Sequence, residues 1–108
     1  LLRERLGFAE DELVTTFQSR FGPEEWLQPY TVEEVARLAE AGKKHIAVIA
    51  PAFSSDNIET LEEINEEIKE AFEEAGGERF TYIPCLNDTP DHMDMIEALV
   101  ERELKGWL

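Results

Sequence analysis

The chain has 108 residues, enough for one domain and too few for two. Apolar residues make up 43% of it, which supplies an ordinary single core. Acidic residues number 25 against 10 basic ones, a formal charge of −15 that argues against binding nucleic-acid phosphates and against docking on an anionic membrane surface.

No apolar run approaches the roughly 20 residues of a membrane-spanning helix, and no signal peptide precedes the fold. Cys85 is the single cysteine. It excludes an internal disulfide and alone cannot hold a zinc or iron–sulfur centre, so a reducing, cytoplasmic setting is expected. The opening Leu1-Leu2-Arg3-Glu4-Arg5-Leu6-Gly7 lacks an initiating Met and reads as the tail of a helix, closed by Gly7. The sequence is therefore expected to be a fragment of something longer.

Leu13 to Ser19 is rich in β-branched residues and predicts a strand. A loop punctuated by Gly22, Pro23 and Pro29 follows and carries Trp26. Thr31, with Glu34 three residues on, predicts a capping box and a helix that Gly42 stops. His45 to Ala50 is a near-continuous apolar run, suited to a parallel strand covered on both faces. Pro51 to Asp56 is a short turn. A long helix is expected from about Asn57 to Ala75, ended by Gly76-Gly77, with Ile58, Leu61, Ile64, Ile68, Ala71, Phe72 and Ala75 on its apolar face. Phe80 to Ile83 predicts a third strand. Asp88 or Thr89 then caps a last helix with Pro90 in its first turn and Met95, Ile96, Leu99 and Val100 toward the core.

Strict alternation of helix and strand predicts an α/β fold with a three-stranded parallel sheet, flanking helices and right-handed crossovers. So thin a sheet leaves an unprotected edge. In open parallel sheets ligands bind at the carboxyl ends of the strands. Two loops there draw attention, Gln18 to Tyr30 and Ala50 to Glu59. Trp26 in the first is either a ligand wall or the anchor of its own loop. Glu59, Glu63 and Glu67 recur every four residues and could pass a divalent cation or protons. A regular helix would instead place most of them in water, among Glu62, Glu66, Glu70, Glu73 and Glu74. Both readings stay open on spacing alone. His45 is expected at the sheet surface, and His92 beside Asp91 and Asp94, whose carboxylates would stabilise its charge. Neither makes a spaced metal motif. No Gly-rich phosphate loop and no G-x-S-x-G elbow is present. Cys85 has no evident base and reads as packed and unreactive.

Thr16 to Pro23, Trp26 to Thr31, Ser55 to Ile64 and Tyr82 to Asn87 cover most of the chain in order. With their Q-S-[RK]-x-G-x-x-x-W-L and S-D-x-x-E-T-L blocks, they resemble the C-terminal part of ferrochelatases of bacterial type. These enzymes insert ferrous iron into protoporphyrin to make haem. The resemblance implies two similar Rossmann-like halves with the porphyrin between them. Residues 1–108 would be an incomplete C-terminal chelatase half domain whose first half is absent. It implies that Glu59 faces the porphyrin centre and serves in pyrrole proton removal or metal delivery. Glu63 and Glu67 would lie behind it as a metal or proton route. Gln18, Ser19, Arg20, Trp26, Phe53 and Asp56 would line the porphyrin cleft.

In the family the acidic helix begins with a π-type turn, which would bring every-fourth glutamates nearer one side. Asn57 stands where some family members carry histidine, at a position that varies in bacteria. The family's active-site histidine belongs to the first half, and neither His45 nor His92 matches it, so the isolated chain is expected to be inactive. No tightly bound cofactor is implied. Fe²⁺ is a substrate, and the cysteines of the iron–sulfur cluster found in some members are lacking here. Porphyrin, ferrous iron and the missing first half are the expected partners. Nucleic acid is not among them, and the resemblance is compatible with membrane association. Two other readings are a half-length chelatase working as a homodimer and a non-enzymatic acidic α/β binding module.

Overall fold

The computed structural model describes residues 1–18, 25 and 27–107. Helix α1 spans Leu2–Leu6, α2 Thr31–Glu40, strand β1 His45–Ile49 and strand β2 Arg79–Ile83. Between the strands runs one continuous helix. It is π-wound over Glu59–Ile68 and α-wound over Lys69–Glu74, the latter being α3. Helix α4 spans Pro90–Glu103.

β1 and β2 pair in parallel, with His45 opposite Arg79 and Ile49 opposite Ile83. The crossover through the π-helix and α3 is the βαβ unit that alternation predicted. Over the described residues 13–18, the third strand expected at Leu13–Ser19 is not formed. Phe17 makes only an isolated parallel bridge to Tyr30. The Phe17 N–H bonds the Pro29 carbonyl at 3.0 Å, and the Thr31 N–H bonds the Phe17 carbonyl at 2.9 Å. These bonds pin the two ends of the loop to each other. β-Branched residues favour extended backbone, but a strand needs a ladder partner, and here the partner is a loop end.

The capping box predicted at Thr31 is also absent. Tyr30 is the N-cap and Thr31 the first helical residue. The Thr31 hydroxyl bonds the Thr16 hydroxyl at 2.8 Å, and Glu34 is taken by Arg37, whose Nε donates to it at 2.9 Å.

The core lies on one face of the sheet. Val35 and Ala39 of α2, Ile64 and Ile68 of the π-helix and Phe72 of α3 are buried, packed on Ile46, Val48, Phe80 and Tyr82 from the strands. The strands alternate, half-buried at even positions and exposed at odd ones. β1 is therefore covered on one face only, not on both.

The stripe Met95, Ile96, Leu99 and Val100 of α4 is exposed by 37–47%, not core-facing, and His92 is the buried residue of that helix. No described element covers those side chains, so their periodicity records amphipathicity without a partner. The Cα radius of gyration is 16.9 Å, against about 13 Å for a closed domain of this length.

π-Winding decides which face of the long helix is buried. Its i→i+5 geometry gives about 4.4 residues per turn, roughly 80° each. The buried line then runs Thr60, Ile64, Ile68 and Phe72, at four-residue steps. Ile58 and Leu61, placed on the apolar face by an α-helical period, fall off this line and are 70% and 49% exposed.

Candidate functional site

The glutamate ladder sits one residue before Thr60, Ile64 and Ile68 of the buried line. At roughly 80° per residue it therefore flanks the core at the helix edge. Glu59 and Glu63 are half-buried and Glu67 is exposed, whereas Glu62, Glu66 and Glu70, a further step round, face water. The winding thus separates two acidic rows that spacing alone did not.

Beside this edge lies a cleft of about 330 Å³. Glu63, Glu67 and Ile68 line it from the π-helix, Thr31, Val32 and Glu33 from the start of α2, and Phe17, Gln18 and Tyr30 from the pinned loop ends. Gln18 Nε2 is buried with no acceptor among the described residues, so this wall holds an N–H donor not spent within the described fold. Such a donor with carboxylates opposite suits a polar or cationic guest.

Glu33 is a third carboxylate at this cleft. Its sequence position gives no sign of this, and only the packing of α2 beside the π-helix brings it there. Among the described residues no group of three His, Cys, Asp or Glu is arranged to hold a metal ion.

The helix start is built by reciprocal bonds. Asn57 Oδ1 accepts from the N–H groups of Glu59 and Thr60 at 2.8 and 3.3 Å. Thr60 Oγ1 accepts from the Asn57 N–H at 2.9 Å. Asn57 thus does an N-cap's work two residues before Glu59.

Asp56 is held more tightly still. Its Oδ1 accepts from the Tyr82 hydroxyl at 2.5 Å and the Thr60 hydroxyl at 2.9 Å, and its Oδ2 from Asn87 Nδ2 at 2.8 Å. Three donors, led by Tyr82, keep this carboxyl well below the usual carboxylate range. Its contribution to stability is present above about pH 4 and lost as pH falls through the depressed value. Burial first, and the bond to Asp56 second, push the Tyr82 phenol above its ordinary value near 10. The neutral phenol is the form the fold favours, so its contribution is complete below pH 10 and lost above it. Alkaline titration followed by phenolate absorbance should show a late-ionising tyrosine that Tyr82→Phe abolishes. A late component surviving in Tyr82→Phe would refute the Asp56–Tyr82 bond.

Of the other expected site residues, Phe53 is half-buried in the β1 turn, its N–H bonded to the Ala50 carbonyl at 3.1 Å. Ser19, Arg20 and Trp26 lie outside the described residues. His45 is at the surface as expected. His92, beside Asp91 and Asp94 in the first turn of α4, is turned inward. It is 4% exposed, and its Nδ1 donates to the Asn87 carbonyl at 2.5 Å. Cys85 is half-buried, with Sγ 3.5 Å from the Tyr82 hydroxyl.

A parallel βαβ unit whose crossover helix is π-wound, with a glutamate row along a cleft, is a chelatase-like α/β fold. A family model described as Ferrochelatase matches residues 1–104. Proteins named ferrochelatase align over all 108 residues: 68% identical in Rhodobacter capsulatus, 62% in Allorhizobium ampelinum and 60% in Rhizobium meliloti. The chain belongs to the ferrochelatase family. It spans 31% of the length of the first two of these relatives and 32% of the third.

Proposed function

We propose that this chain is the C-terminal chelatase half domain of a cytoplasmic ferrochelatase that inserts ferrous iron into protoporphyrin IX to form protohaem. The reaction takes Fe²⁺ and the free-base macrocycle and releases two protons. Both pyrrole N–H bonds break and four Fe–N bonds form.

The observation that carries this reading is the π-winding. It half-buries Glu59 and Glu63, leaves Glu67 exposed, and sets Glu63 and Glu67 along a cleft that Gln18 also lines. Carboxylates are hard oxygen ligands, suited to brief binding of a divalent ion. They also serve as bases. Glu59, at the start of the helix and nearest the strand ends, takes pyrrole protons or hands over the metal. Glu63 and Glu67 conduct iron or protons behind it. Gln18, Ser19, Arg20, Trp26 and Phe53 form porphyrin walls, and Asp56 fixes the turn between wall and helix. The outward apolar side chains of α4 and the uncovered sheet face support a larger body in which the other part of the protein completes the cleft.

Anaerobic assay with ferrous iron and protoporphyrin, read by loss of porphyrin fluorescence, tests this directly. The full-length protein should turn over, and residues 1–108 alone should show negligible insertion. Turnover by residues 1–108 comparable to the full-length enzyme would overturn the half-domain reading. No insertion by the full-length protein would overturn the activity itself.

A further inference from the structure

Asn87 joins the turn after β1 to α4 through four hydrogen bonds. It stands after β2 with φ +51, in the left-handed region that asparagine tolerates better than most residues. Every polar group it owns is spent. Its N–H bonds the Ser54 carbonyl at 3.0 Å. Its Oδ1 accepts from the Asp56 N–H and its Nδ2 donates to Asp56 Oδ2, both at 2.8 Å. Its carbonyl accepts from buried His92. Three bonds therefore tie it to the 54–56 turn, 31 residues away in sequence, and a fourth ties it to α4.

Asp56 in turn holds the Thr60 hydroxyl, and Asn57 caps the helix at Glu59. A single planar amide thus sets where the π-helix starts against the carboxyl ends of both strands. Only a group with donor and acceptor side by side can do this, because a carboxylate at position 87 would face the Asp56 carboxylate.

We propose that Asn87 is the positioning residue for Glu59, acting through Asp56 and the Asn57 cap. This rests on the role of Glu59 given above. Asn87 need not reach porphyrin or iron itself. Its loss lets the helix start drift, and small misplacements of a reacting group are costly in rate.

The test is a double-mutant cycle in the full-length protein, with kcat and KM measured separately for iron and protoporphyrin. Asn87→Gly keeps the left-handed backbone and removes the amide. It should lower kcat about tenfold or more, with KM for protoporphyrin changed less than about twofold. In a Glu59→Gln background the same substitution should lower kcat less than about twofold further, because the group it positions is already lost. Additive losses would overturn the proposal. If Asn87→Gly does not fold, the exchange serves instead. Asn87→Asp alone sets two carboxylates together and should lose activity, and Asn87→Asp with Asp56→Asn restores a carboxylate–amide pair and should regain most of it. Failure of the exchange to regain kcat would also overturn the proposal. If Glu59→Gln by itself leaves kcat intact, it is the catalytic reading of Glu59 that fails, and the positioning role falls with it.

Discussion

Glu59→Gln in the full-length enzyme is expected to lower kcat for iron insertion by a factor on the order of 10² or more, the usual loss for a positioned acid–base group. The substitution keeps size and hydrogen-bonding shape and removes the charge and the base. Protoporphyrin binding should change little, since the cleft walls remain. Glu63→Gln and Glu67→Gln, which line the cleft, should act more mildly, mainly as a higher KM for iron, if they conduct the ion as proposed. Glu73→Gln and Glu74→Gln should be nearly silent. Both are exposed on α3, past the end of the π-wound segment, where single surface charges contribute little. The graded series is the signature of a route along one helix edge. Steady-state kinetics of all five variants, with iron and porphyrin varied separately, distinguish it from a uniformly solvated surface. If all five behave alike, the roles of Glu59, Glu63 and Glu67 are refuted.

The architecture was legible where a local rule had a tertiary partner. Gly7, Gly42 and Gly76 close three helices as expected, each with φ between +74 and +104. The apolar run at His45 and the strand at Phe80 pair as predicted. The described residues 13–18 form no strand because propensity for extended backbone does not supply a neighbour to bond. The stripe of α4 was misread because amphipathicity says which side seeks cover, not what covers it.

At the site, the four-residue recurrence of Glu59, Glu63 and Glu67 was visible, but its meaning depended on the helix winding. An α-period puts Leu61 near the core and the ladder in water. In the π-wound helix Leu61 is exposed and Glu59 and Glu63 are half-buried, while Glu67 stays exposed. Asn57 and Thr60 were the local signal for the helix start, an N-x-x-T pair with reciprocal capping capacity. Glu33 carried no local signal, and Asn87 was visible only as the end of the Tyr82–Asn87 stretch, with no sign of its bonds. One enters through helix packing and the other through bonds spanning 31 residues.

Phe72→Ala should produce the largest loss of stability, about 3–5 kcal/mol, as expected for emptying a fully buried aromatic site. Phe72 has no exposed surface, and its ring lies 6.2 Å from that of Phe80, tilted by 51°. It closes the buried line that begins at Thr60, so its removal loosens the end of the helix that carries the ladder. The neighbouring glycines separate two roles that sequence reading had merged into one helix stop. Gly76 has φ +104, and its N–H bonds the Glu73 carbonyl at 3.0 Å. The next N–H, of Gly77, bonds the Phe72 carbonyl at 2.9 Å, which completes a Schellman closure. Gly77 is required for space, because a Cβ there would overlap the Phe72 ring, and that ring is walled in. Gly77→Ala should therefore cost about 1–3 kcal/mol by overpacking. In Phe72→Ala the overlap is gone, so adding Gly77→Ala should cost clearly less than it does alone. Urea denaturation of the full-length protein, followed by circular dichroism across the four variants, measures this coupling. Strictly additive losses would show that Gly77 serves only the backbone turn and that the ring does not press on it.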